Sequence, residues 1–398
     1  NLPIQAITPE NTLRVAERTL NLDHATPMNI FSPSATYMND DNIISELPTT
    51  QDLLHMENDK EHVLVIKDLH EKRISLVFIK NKATGKSIQL EGISDGIFLT
   101  IQEEDYELSP KIRYDDMGIE ANAHDVHSRN VVNSTGLPRL EYLWQVFRFC
   151  VFRIGRGINV LNSMFHSNVL NNCQSYRQLK IAIAYDASFC AQHENKFRAD
   201  VAAKAIVALA SLKYKQLPLC VDIKLSHLEG YCHNETDPYN KMIGKKLSGC
   251  SEQNGLVYDF FDYWDINRTN VTRDAAHLLT GTDMECNDDG CVVGCAYLAV
   301  TCGNFAYGVD DMSFSTSLNR RANLFAHEFG HNNGALHMNP PSNDSSYLMD
   351  LQSNSGTDGF SQQSMMDMVG YLEFENCGTR VTRRFDTILE WLKCLLPN

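Results

Sequence analysis

From residue 62 to 102 the hydrophobic pattern is strand-like, with four short apolar-rich runs, HVLVIKDL, RISLVFIK, SIQLEGI and GIFLTIQ, at 62–69, 73–80, 87–93 and 96–102. Short runs rich in Val, Ile, Leu and Phe between polar segments predict strands, and NKATGK at 81–86 supplies the turn between two of them. This β-rich unit contains no Cys. The stretch before it, residues 1 to about 60, is polar and irregular, with Pro at 3, 9, 27, 33 and 48 and the pair Asp40 and Asp41. It is expected to be a loosely structured lead-in.

After residue 179 the pattern changes. LKIAIAYD (179–186) predicts a strand, residues 191–212 a helix, LCVDIKLSHL (219–228) a strand, residues 269–278 a helix, and CAYLAVTC (295–302) a strand. Strands alternating with helices predict an α/β layer with the sheet covered by helices. No repeat period or low-complexity tract is present.

The run RANLFAHEF (321–329) reads as helix and opens the segment HEFGHNNGALH, which fits HExxHxxGxxH at all five fixed positions. Residues four apart share a helix face, so His327 and His331 present both imidazoles to one ion. Glu328 lies about 100° round the helix, beside that ion rather than on it. Gly334 permits the left-handed backbone that ends the helix and returns His337 as third ligand. Three neutral His ligands leave tetrahedral zinc one position for a water of lowered pKa, and Glu328 is placed to take its proton. Two surface histidines with a solvated Glu would explain a bare HExxH, but not the added Gly and third His.

With 398 residues and 43% apolar content, the chain has enough apolar sequence for two or three ordinary domain cores. The net charge is −15, from 35 Lys plus Arg against 50 Asp plus Glu, and no basic stripe appears, which argues against nucleic acid and anionic membrane as partners. No apolar run approaches the roughly 18–20 residues of a membrane span. Eleven of the 12 Cys follow residue 170, a disulfide framework that implies an oxidising compartment, hence a secreted, extracellular protein. Cys286, Cys291 and Cys295 read as disulfide partners before a second zinc site, and His124 and His127 as a solvated loop. Sequons begin at Asn133, Asn234, Asn267, Asn270 and Asn343, as candidates for glycosylation.

These landmarks resemble the metzincin metalloproteases, and within them the adamalysin or reprolysin group, over residues 179–377. The implied fold class is α/β: a metzincin, zincin-like catalytic domain with a mixed twisted sheet and long helices, preceded by a small β-rich pro-domain. The implied division is 1–156 as pro-segment and 157–398 as catalytic domain. DAAHLLTG (274–281) resembles the family's strand leading to its third sheet position. Gly294, Cys295, Ala296 and Tyr297 resemble the edge strand on which the family lays an extended substrate. Met349, in SYLMD, resembles the Met-turn residue beneath the zinc histidines. Cys302 is implied to bond a C-terminal Cys, Cys377 or Cys394. The chain departs from the adamalysin pattern at Met338, where Asp usually follows the third His, and at Gln363, where a Cys is usual.

The resemblance implies a secreted zinc metalloendopeptidase with one catalytic Zn²⁺, acting on proteins or peptides; nothing in the sequence indicates calcium. It also implies a latent zymogen with the pro-segment as intramolecular inhibitor. Arg153 and Arg156 form a candidate processing site, with RVTRR at 380–384 as a competitor. Cys150 is either a latency thiol on the zinc or a disulfide partner, with Cys173 as the bonding candidate. The alternative function is a non-catalytic protein-binding member of the same fold, which the intact Glu328 argues against.

Overall fold

A computed structural model describes residues 2–5, 12–15, 18–21, 25–38, 44–46, 51–68, 73–83, 87–94, 97–103, 112–113, 173, 175–240, 255–284, 286–287, 290–337, 347–350 and 359–382. Cys150, Arg153, Arg156, Asn133, Asn343, His124, His127, Met338 and Cys394 lie outside the described residues.

The site is carried by an eight-stranded sheet ordered Gly294–Ala296, Tyr307–Asp311, Ala275–Thr280, Ser175–Tyr185, Val221–Gly230, Phe31–Met38, Ile44–Glu46, with Thr379–Thr382 paired beside Ser175–Tyr185. The five strands from Tyr307–Asp311 to Phe31–Met38 run parallel, and Gly294–Ala296 is an antiparallel edge. The central strands are buried along their length, which is why Ala275–Thr280 shows no alternation in sequence. Helices Lys196–Tyr214 and Leu318–Asn332 pack together, with the Tyr214 hydroxyl donating to the Ala326 carbonyl at 2.8 Å.

Two expectations are corrected. The helix expected at 269–278 is a helix at Leu256–Asn267 followed by the strand Ala275–Thr280. The aromatic residues of LVYDFFDYWDIN obscured its period: Phe260 and Trp264 are buried on one face, while Phe261 on another packs against Phe305.

The second correction concerns the N-terminal region. The lead-in is not loose where it is described: residues 26–27, 31–38, 44–46 and 51–57 are strands, and Phe31–Met38 joins the catalytic sheet beside Val221–Gly230. Its register jumps from Leu225↔Phe31 to His227↔Thr36, and Pro33, which cannot donate to a ladder, falls in that gap.

The β-rich unit forms as read, with strands Glu61–Asp68, Arg73–Asn81, Ser87–Ser94 and Ile97–Glu103 in a nine-stranded sheet. It does not stand apart as a separate domain. Its consecutive apolar residues point to opposite faces and make two clusters: Val63, Val65, Val77, Ile79 and Leu90 form one, while Leu64, Ile66, Leu76 and Phe78 enter the main core with Ile181, Ile206 and Phe325. Helix Lys196–Tyr214 is apolar almost all round because it lies in this shared core. The described N-terminal strands also reach the first turn of helix Leu318–Asn332, where the Leu318 amide donates to Gln89 Oε1 at 3.1 Å.

Among the described residues, disulfides join Cys173 to Cys220, Cys190 to Cys232 and Cys302 to Cys377. Cys377 is thus the partner of Cys302, and Cys173 is committed to Cys220 rather than to Cys150. Cys295 is also disulfide-bonded, which removes it from a second zinc site.

Candidate metal centre and active site

Helix Leu318–Asn332 begins on Ser317, whose side chain accepts from the Arg320 amide, and ends at Gly334, whose φ of +92° is open to glycine with little strain. The Gly334 and Ala335 amides donate to the carbonyls of His331 and Gly330, at 2.8 and 2.9 Å, and turn the chain back. His337 returns against the helix as expected from the spacing.

The three Nε2 atoms of His327, His331 and His337 form a triangle with sides of 3.0, 3.1 and 3.1 Å. Zinc–nitrogen bonds of about 2.05 Å at near-tetrahedral angles need a spacing of about 3.1–3.4 Å, so the triangle fits one zinc ion. The far sides of two rings are fixed: Nδ1–H of His327 donates to the Leu348 carbonyl at 2.5 Å, and Nδ1–H of His331 to the Ala335 carbonyl at 2.8 Å. These bonds place the ring proton on Nδ1 and leave the Nε2 lone pair for a metal. Burial pushes His327 and His331 well below the usual imidazole range and His337 down to about 4, so all three are neutral, as ligation requires.

Glu328 is fully buried next to this triangle. A Cβ placed on Gly294 would sit 2.4 Å from Glu328 Oε1, so the edge strand approaches this carboxylate as only glycine allows. Gly294, Cys295, Ala296 and Tyr297 are all buried in the full chain, whereas a strand ready to receive substrate would have an open edge.

Beneath the histidines lies Met349, itself fully buried. A Cβ on Gly330 would meet Met349 Sδ at 2.7 Å, which explains a glycine inside a helix, where it costs about 0.5–1 kcal/mol. Leu348 in the same turn holds His327, so this turn both supports and orients the centre.

Sequence reasoning missed the group behind the site. Asn332 follows His331, and its amide nitrogen donates to the carbonyls of Tyr297 and Tyr307 at 2.8 and 3.1 Å. Both amide hydrogens are thereby used, so Asn332 Oδ1 accepts from His277 Nε2–H at 3.0 Å. His277 Nδ1 shares a proton with Asp310 Oδ2 at 2.9 Å, and the ring lies against Gly308, where a Cβ would meet Cε1 at 2.4 Å. The only signal in the sequence was a His within an otherwise apolar strand.

Of the candidate glycosylation sites, Asn234, Asn267 and Asn270 are exposed. No helix among the described residues is long and apolar enough to cross a membrane.

The reprolysin model of metallo-peptidase family M12 matches residues 175–368. No curated protein matches the chain. Among solved structures, it resembles a chain from a chaperone–substrate complex at 12% identity and a TM-score of 0.36, covering 51% of this chain and 35% of that one. It thus spans about a third of the length of that chain. It also resembles the archaemetzincin of Methanopyrus kandleri, at 14% identity and a TM-score of 0.34, covering 49% of this chain and 96% of that one.

Residues 175–368 are a metzincin-type zinc-metalloprotease domain, of mixed α/β architecture, with a candidate three-histidine zinc site.

Proposed function

We propose that the protein is a secreted zinc-dependent metalloendopeptidase that hydrolyses peptide bonds of proteins and is made as a latent zymogen. The observation that carries the reading is the matched Nε2 triangle with Glu328 beside it. His327, His331 and His337 would hold a zinc ion, which would supply Lewis acidity toward a scissile carbonyl and lower the pKa of a water. Glu328, held against Gly294, accepts the proton of the attacking water and passes it to the leaving amine nitrogen. Gly294 to Tyr297 are the segment along which an extended peptide adds as an antiparallel strand.

Latency is supported by the burial of that segment and by the depth of the histidines in the full-length chain. The formed disulfides support an oxidising, extracellular setting. Residues 1–156 act as the inhibitory pro-segment, with the cut at Arg156 and Cys150 as the candidate zinc-blocking thiol. Leu64, Ile66, Leu76 and Phe78 share the catalytic core, so a cut at Arg156 leaves the two pieces associated.

The test is zinc content and casein cleavage by the full chain before and after a processing protease cuts at Arg156, each beside Glu328→Ala. One zinc per chain, with Glu328-dependent cleavage appearing only after the cut, is the expected result. Zinc without cleavage in either state would overturn the enzyme reading and favour the non-catalytic binding protein.

A further inference from the structure

Between the N-terminal sheet and the catalytic domain lies a cleft of about 670 Å³, within the size range of small-molecule sites. Five lysines line it: Lys80 and Lys82 from the N-terminal sheet, and Lys213, Lys215 and Lys224 from the catalytic domain. The chain has 17 lysines and a net charge of −15, so this is a local reversal of sign.

The lysines are set into the walls rather than spread over a surface. Lys80, Lys213 and Lys224 are 4%, 7% and 9% exposed. Lys82 bonds Glu57 at 2.6 Å, and Lys215 and Lys224 both bond Asp222 at 2.9 Å, which places three cations on two carboxylates. Lys213 reaches Asn319 Oδ1 at 3.5 Å, on the first turn of the histidine-bearing helix. His55 Nε2, buried in the same wall, makes no hydrogen bond.

His55, Glu57 and His62 bring ligand atoms within 4.8 Å of one another, an arrangement that invites comparison with a metal site. The Lys82 ammonium already occupies Glu57, and Lys215 stands close enough to His55 to oppose its protonation. Glu57 is the one carboxylate among the described lining residues beside five lysines, and Asp222 behind the wall pairs with two of them, so the balance of charge opposes a divalent cation and favours an anion.

We propose that this cleft binds a small, multiply charged oxyanion of the phosphate or sulfate class, held by lysines from both sheets and by His55 Nε2–H. Such a ligand bridges the two sheets at the first turn of the histidine-bearing helix, since Asn319 also lines the cleft. The inference does not depend on the protease reading.

The experiment is calorimetric titration of the full chain, at fixed ionic strength, with inorganic pyrophosphate and separately with a sulfated disaccharide. It is repeated on Lys82→Gln with Lys215→Gln, both partly exposed, and on the control Lys60→Gln. Expected is one-to-one binding to the wild type and the control, weakened about tenfold or more in the double variant, as loss of charge-assisted contacts predicts. The tighter probe identifies the phosphate or the sulfate source, and its saturating addition raises the thermal midpoint of the wild type. No binding of either probe, equal affinity in the double variant, or several equivalents bound would overturn the site.

Discussion

Asn332 holds Tyr297: the side-chain amide next to the second zinc-motif histidine donates to the carbonyl that ends the candidate substrate strand, at 2.8 Å. The backbone tightens the same link, because the Ala299 amide donates to the His331 carbonyl, and the Val300 and Thr301 amides to that of Asn332. Helix and edge strand therefore move as one piece, which fixes the distance between metal ligands and any peptide laid on the strand.

Replacing Asn332 by Leu removes the side-chain donor to the Tyr297 carbonyl and the acceptor of His277, while the Tyr307 carbonyl keeps the Tyr297 amide at 3.2 Å. Orphaned buried groups cost about 1–3 kcal/mol each, so a loss of about 3 kcal/mol is expected. Urea unfolding measures it, and peptidase assays of the processed protein should show KM rising for long peptides. An unchanged midpoint would mean that the network carries no stability.

Glu328→Gln keeps the shape of the side chain and removes its basicity. Zinc content should stay at one per chain while the turnover of the processed protein falls by about 10²- to 10⁴-fold, the range of a general base. Metal analysis beside single-turnover kinetics distinguishes this from loss of the ion, which would lower both.

Gly294→Val places side-chain carbon where Glu328 Oε1 already lies, since even the Cβ would approach to 2.4 Å. Either the edge strand or the carboxylate must move. The expected result is retained zinc with peptidase activity reduced as far as in the Glu328 variant. Normal turnover would show that the strand shifts without cost, and that its closeness to Glu328 is incidental.

The zinc centre was legible because all its chemistry is local: one helix, one glycine turn and fixed spacings place His327, Glu328, His331 and His337. The four strands from residue 61 to 103 were legible for a similar reason, since short runs of Val, Ile, Leu and Phe between polar segments mark strands without reference to the rest of the fold. Contacts made across the fold left weaker marks. Phe31–Met38 contains Pro33 and polar residues, and Thr36 and Tyr37 bond His227 and Asp200 far along the chain, so no apolar period marks the strand in sequence. Ala275–Thr280 is buried on both faces and read as helix. The roles of Gly294, Gly308 and Gly330 depend on what packs against them, which no neighbour in sequence specifies.

Protonation of buried histidines should destabilise the zinc-free protein in acid. Burial, reinforced by Arg321, holds His193 down to about 3, and burial holds His337 down to about 4. His193 Nε2 accepts from Arg321 Nη1 at 3.2 Å on the histidine-bearing helix, a bond that protonation would break. In the unfolded chain both rings protonate near 6.5. As pH falls, the unfolded state takes up these protons first, so the contribution of the two rings is full above about pH 6.5, declines toward pH 4 and levels off below about 3. His327 and His331, also pushed down by burial, act in the same direction. Asp237 and Asp311, raised by burial to about 7 and about 6, act in the opposite direction, because the folded state takes up their protons first. The test is therefore a difference: urea midpoints of the chelated wild type and of His193→Gln at pH 7.5, 6 and 5 should show the wild type losing more stability as pH falls. Zinc competes with protons for the triad, so the loaded protein should hold its midpoint to lower pH. Equal pH dependence in the two proteins would show that the His193 ring is not buried in its neutral form.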